Sequence, residues 1–131
     1  VIVLDTSALI AVTNHEPERL RFLTCIADAD RCLISAVTLL ETRIVTLARF
    51  GTAGTDQLAQ WLQSFAPEVV AFDERQADVA SIAFRTYGRG MQSAAKLNFG
   101  DCASYALAKT RGLPLLFKGD DFAITDIDRV A

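Results

Sequence analysis

Val1-Ile2-Val3-Leu4-Asp5-Thr6-Ser7 is the stretch on which the fold turns. Four successive large apolar residues, three of them β-branched, match a strand buried on both faces, the mark of a parallel sheet covered by helices. The run stops on a carboxylate, so Asp5 stands at the strand's carboxyl end. In open α/β sheets ligands bind in the crevice outside those ends. The same carboxylate is equally suited to capping a helix that begins at Thr6.

Working outward, 131 residues with 51% hydrophobic and 22% charged side chains suit a single domain, 1–131, with a full core. No apolar stretch approaches the roughly 20 residues needed to cross a membrane, and no signal-peptide pattern opens the chain. The expected setting is cytoplasmic. Cys25, Cys32 and Cys102 are odd in number and lack C-x-x-C spacing, which argues against a disulfide framework and a thiolate metal site. His15 is the only histidine, so a histidine-rich zinc site and paired imidazole catalysis are excluded.

The net charge of −3 hides an uneven distribution. Residues 79–119 hold six basic side chains and one acid, Asp101, while the segments on either side are acidic. This block fits a solvated basic face and also a phosphate-facing surface around one carboxylate.

In chain order, helices are expected at Thr6–Thr13 and from Glu16-Pro17-Glu18 to about Ala29, the latter with Leu20, Leu23 and Ala27 inward. Cys32–Ser35 reads as a second strand. In the helix Val37–Phe50, the residues Val37, Leu40, Ile44, Leu47 and Ala48 recur at helical spacing and define an expected buried face, with Thr42, Thr46 and Arg49 opposite. Glu41 falls on the inward side. It is either the end of a capping box with Thr38 or a buried carboxylate that needs a partner. A loop at Gly51–Gly54 precedes a helix Thr55–Phe65 with Leu58, Trp61, Leu62 and Phe65 inward. A strand at Val69–Phe72, a helix Glu74–Tyr87 with Val79, Ile82 and Ala83 inward, an irregular segment 88–99, a helix from Gly100 or Asp101 to Arg111, and a strand Leu115–Phe117 follow. Ile127–Val130 is a candidate edge strand.

If the strands are parallel, Asp5, Glu41, Asp101 and one of Asp120 or Asp121 all reach the carboxyl edge. On this reading segment 88–99 climbs back along the layer to return the chain there. Carboxylates so gathered repel one another unless a cation sits among them. Oxygen-only ligands select a hard ion, Mg²⁺ or Mn²⁺, and such a site suits metal-dependent phosphodiester hydrolysis.

With these acids placed, the chain resembles the PIN-domain ribonucleases, and within them the VapC-type toxins of toxin–antitoxin pairs. The resemblance rests on Val3–Leu9, Glu41, Leu97-Asn98-Phe99-Gly100-Asp101-Cys102, Leu116–Phe122 and Thr125-Asp126-Ile127. It implies a three-layer α/β fold, with a central, mostly parallel sheet of four to five strands and helices on both faces. It also implies that Asp121 is the fourth acid, that Asp5 and Asp101 are the principal metal ligands, and that Glu41 and Asp121 act directly or through water. Thr6 and Ser7 would then fix Asp5 or a nearby water. The further implications are RNA cleavage leaving 3′-hydroxyl and 5′-phosphate ends, a homodimer, and inhibition by a VapB-type antitoxin. Arg85, Arg89 and Lys96 are candidate RNA backbone contacts.

Two rivals carry other expectations. A phospho-receiver domain shares the length, the parallel sheet and a lysine near Lys118, but needs an acidic pair after the first strand and a phospho-acceptor after the third. A silent PIN scaffold used only for binding would gain nothing from four mutually repelling acids.

Overall fold

The first strand, β1 (Ile2–Leu4), is the second from one edge of a four-stranded sheet in the computed structural model, which describes residues 1–130. It is followed by α1 (Thr6–Thr13), α2 (Arg19–Asp28), β2 (Cys32–Ser35), α3 (Ala36–Phe65), β3 (Glu68–Val70), α4 (Glu74–Tyr87), α5 (Phe99–Arg111) and β4 (Leu115–Leu116). The strand order is β3-β2-β1-β4 and every pairing is parallel. The candidate strand at Ile127–Val130 reduces to a single bridge between Leu115 and Arg129.

Successive strand residues point to opposite faces, and this alternation divides the core. Val3, Leu33 and Leu115 pack on one face against Cys102, Tyr105 and Leu107 of α5, with Ala83 of α4 in the same cluster. Ile2, Leu4, Ile34 and Leu116 pack on the other face against Leu9 and Val12 of α1 and Phe22 and Ile26 of α2. β1 is thus buried on both sides.

Three helices depart from the expected faces. In α3 the buried side chains are Thr38, Thr42 and Thr46, whereas Leu40, Ile44 and Leu47 are 56%, 57% and 52% exposed. Thr38 and Thr42 find hydroxyl partners on other helices, Thr38 lying 3.0 Å from the Ser104 hydroxyl and Thr42 donating to the Thr6 hydroxyl at 3.1 Å, whereas the Thr46 hydroxyl is buried without a hydrogen bond. In α2, Leu20 is exposed and Phe22 takes the inward place, and in α4 Ile82 is exposed. The helix α3 also runs through the expected loop, interrupted at Gly51, whose φ of 68° and ψ of −165° suit glycine.

Segment 88–99 does not climb. Leu97 N–H donates to the Tyr87 carbonyl and Arg89 N–H to the Leu97 carbonyl, both at 2.9 Å, so the loop closes on itself. Near the other ends of the two helices, Gln76 of α4 donates to Thr110 of α5 at 2.6 Å. α4 therefore runs antiparallel to α5, and its last turn already lies beside the start of α5.

Candidate active site

Asp5 is 2% exposed at the end of β1 and caps the helix that follows. As N-cap of α1, its Oδ2 accepts from the Ser7 N–H at 3.0 Å and from the Ser7 hydroxyl at 2.6 Å. Its Oδ1 accepts from the Ser104 hydroxyl of α5 at 2.6 Å. Burial pushes the Asp5 carboxyl above its ordinary value, and the hydrogen bonds from Ser104 and Ser7 only partly oppose this.

Glu41 is not part of a capping box. Ser35 caps α3 by accepting from the Val37 N–H. Glu41 lies two turns further in, next to the threonine face, and its Oε1 accepts from the Thr6 hydroxyl at 2.6 Å. Its other carboxylate oxygen abuts Gly100, where an added Cβ would come within 1.9 Å of Oε2. Burial, then the Asp5 charge, raises the Glu41 carboxyl, against the bond from Thr6.

Asp101 opens α5 as the N3 member of a capping box: its N–H donates to the Asn98 side chain and its Oδ2 accepts from the Asn98 N–H. This fixes one carboxylate oxygen and leaves Oδ1 free for the cleft. Burial foremost, and then the charges of Asp5, Asp121 and Glu41, raise the Asp101 carboxyl to about 7. Asp121, but not Asp120, figures among those charges. The neighbouring Phe122 is buried against Phe117 with ring centres 5.1 Å apart, which pins the loop beside Asp121. Asp121 itself remains exposed and does not line the cleft.

Asp5, Glu41 and Asp101 line one cleft of about 390 Å³ together with Thr6, Ser7, Asn98, Glu16, Arg49 and Lys118. A larger apolar groove of about 600 Å³, lined by Phe72, Phe84, Phe99 and Cys102, holds no carboxylate. Among the described residues, no three His, Cys, Asp or Glu side chains are gathered closely enough to enclose an ion unaided.

The expected basic contacts lie elsewhere. Arg85, Arg89 and Lys96 are exposed, outside the cleft wall, on the last turn of α4 and the loop leading to α5. The cations that face the cleft are Arg49 and Lys118. Sequence reasoning also missed Ser104, whose available signal is its position three residues beyond Asp101, one helical turn along the same face. Asp126, within the motif that follows Asp121, accepts from Tyr105 and Lys109, each at 2.6 Å, and ties down the C-terminal segment. Asp73, the acid after β3 on which a receiver would depend, caps α4 instead.

The PIN domain family model matches residues 2–128. Ribonuclease VapC30 of Mycobacterium tuberculosis is 48% identical over 99% of this chain and 98% of its own length. Ribonuclease VapC of Mycolicibacterium smegmatis is 46% identical over 98% and 99%. Among solved structures, the M. tuberculosis toxin VapC20, described as cleaving the sarcin–ricin loop, superposes with a TM-score of 0.81 at 19% identity, covering 99% of this chain and 98% of that one. VapBC2 from Rickettsia felis, bound to a DNA fragment from its promoter, gives a TM-score of 0.75 at 15% identity, covering 98% and 96%. At these identities the two structures speak for the fold alone.

Proposed function

Because the chain belongs to the PIN-domain family, among the VapC ribonucleases, we propose that it is a toxin endoribonuclease that hydrolyses RNA phosphodiester bonds with the help of Mg²⁺ or Mn²⁺. One observation carries the reading: three carboxylates from three separate elements face one cleft, all raised by burial and two of them, Glu41 and Asp101, also by neighbouring carboxylates, and each is held by a hydroxyl or N–H donor.

The donor set fits a hard ion. After the bonds to Ser104, Thr6 and Asn98, one lone pair of Asp5 Oδ1 remains, as do Glu41 Oε2 and Asp101 Oδ1. Three loosely spaced oxygens suit Mg²⁺, which takes one or two carboxylates directly and keeps several waters. Asp5 and Asp101 would hold the ion, with Glu41 and Asp121 acting on its waters. When bound, it supplies Lewis acidity to the phosphodiester and acidity to its coordinated water. The chain's own part is orientation: Ser7 and Ser104 lock both oxygens of Asp5, Thr6 turns Glu41, and the capping box turns Asp101.

A VapB-type antitoxin and a homodimeric, cytoplasmic toxin belong to the same reading. It is supported by toxin–antitoxin complexes among the structural neighbours, such as that of Klebsiella pneumoniae. The exposed stripe Leu40, Ile44 and Leu47 offers apolar surface for such partners. Among the described residues no helix is long and apolar enough to cross a membrane.

The test is cleavage of total bacterial RNA by wild type, Asp5→Asn and Asp101→Asn, with Mg²⁺, Mn²⁺ or chelator. Discrete fragments from the wild type alone, abolished by chelator, are expected. Equal cleavage by all three proteins would overturn the assignment of the site.

A further inference from the structure

Lys118 follows β4, and its backbone N–H donates to the Ser7 hydroxyl at 3.0 Å, the same hydroxyl that donates to Asp5. Its position is thus locked to the acid cluster through one side chain. Its ammonium is paired with Glu16, in the middle of the α1–α2 connection, and stands 3.4 Å from Glu18. Glu16 is aimed there by the chain itself: His15 adopts φ 53°, the Glu16 N–H donates to the Ala11 carbonyl, and Asn14 steadies the other carboxylate oxygen at 3.2 Å. The Glu18 Oε2 is buried without a hydrogen bond. Arg49 lines the same cleft and its charge reaches Glu16, yet it has no ion pair among the described residues.

An ammonium has three donors, and two carboxylates on one lysine leave a surplus negative charge. A phosphodiester entering a cleft lined by Asp5, Glu41 and Asp101 meets repulsion from the protein, and the cations on the cleft wall that oppose it are Lys118 and Arg49. We propose that Lys118 and Arg49 form the phosphate subsite next to the scissile bond, and that Glu16 is an internal stand-in for the RNA phosphate, occupying Lys118 until substrate displaces it. This rests on the nuclease reading and adds to it which side chains grip the backbone.

The proposal makes a prediction about coupling. A labelled single-stranded RNA dodecamer is titrated by fluorescence anisotropy against the full chain between about 50 and 200 mM salt, in an Asp101→Asn background so that bound RNA stays intact. For single strands each phosphate contact contributes about 0.7 to the slope of log affinity against log salt. Lys118→Gln and Arg49→Gln should each flatten the slope by about that amount, and Lys118→Arg should retain it. Glu16→Gln should tighten binding several-fold when Lys118 is present and much less in Lys118→Gln. Thermal melts identify variants that fail to fold, and for those the Lys118→Arg and Arg49→Gln slopes decide. Unchanged slopes, or an effect of Glu16→Gln that is equal with and without Lys118, overturn the subsite. Absence of RNA binding by every protein, the unsubstituted background included, overturns the nuclease reading instead.

Discussion

Ser104 donates its hydroxyl to Asp5 at 2.6 Å across 99 residues of sequence, joining α5 to the end of the first strand. Ser104 is fully buried, and the Thr38 hydroxyl lies 3.0 Å from it. Because the Ser104 proton goes to Asp5, Thr38 donates to Ser104, which gives a chain of hydroxyls from α3 through α5 to β1.

Ser104→Ala removes a hydrogen bond to a buried carboxylate and strands Thr38. Such bonds to charged groups contribute about 1.5–3 kcal/mol. The expected result is a loss of about that size in urea denaturation at neutral pH, together with weaker Mn²⁺ binding by calorimetry. Wild-type values for both would remove Ser104 from the support of Asp5.

Gly100→Ala separates stability from activity. Alanine is the better helix former by up to about 1 kcal/mol, but its Cβ would meet Glu41 Oε2. The Glu41 side chain can swing away, so the fold should persist with a melting temperature equal to or above that of wild type. A displacement of about 1 Å at a reacting group costs on the order of 10²-fold in rate. RNA cleavage should therefore fall by about that factor. Full activity would show that the placement of Glu41 is not required.

Metal-free protein should lose stability as pH rises. The Asp101 carboxyl lies at about 7 in the fold against 3.8 ordinarily, so between those values the native state holds more protons than the unfolded chain. The unfolding free energy then declines through that window. Asp5 and Glu41, raised for the same reason, add to the trend. A divalent cation competes with these protons, so stabilisation by Mg²⁺ should be greater at pH 8 than at pH 5. Melting curves with and without Mg²⁺ check this, and an ion effect independent of pH would count against binding at these acids.

The rotated face of α3 yields an inversion of the usual hydrophobic ranking. Leu40→Ala removes an exposed side chain and should cost less than about 0.5 kcal/mol. Thr42→Ala removes a fully buried hydroxyl that bonds the Thr38 carbonyl and lies 3.1 Å from the Thr6 hydroxyl, and should cost about 1–3 kcal/mol. Denaturation in which leucine proves the costlier loss would restore the face expected from periodicity.

Sequence alone determined the class of fold and brought Asp5, Glu41 and Asp101 to one edge, though not Asp121 to the cleft itself, because strand ends and motif spacing are written in local patterns. An unbroken apolar run ending on Asp5 is a buried parallel strand wherever it is placed, and motifs around Asp101 and Asp121 keep their spacing in any register. Helix faces were a different matter. Leu40, Ile44 and Leu47 and the threonines Thr38, Thr42 and Thr46 have equally regular spacing, and hydrophobicity favours the leucines; the tertiary partners of the Thr38 and Thr42 hydroxyls exist only in the folded chain and go with the reversed choice. The same holds for Ser104, for the contact between Gly100 and Glu41, and for the pairing of Lys118 with Glu16. Each joins residues tens of positions apart or more, so its free energy exists only once the sheet and helices have brought both ends together.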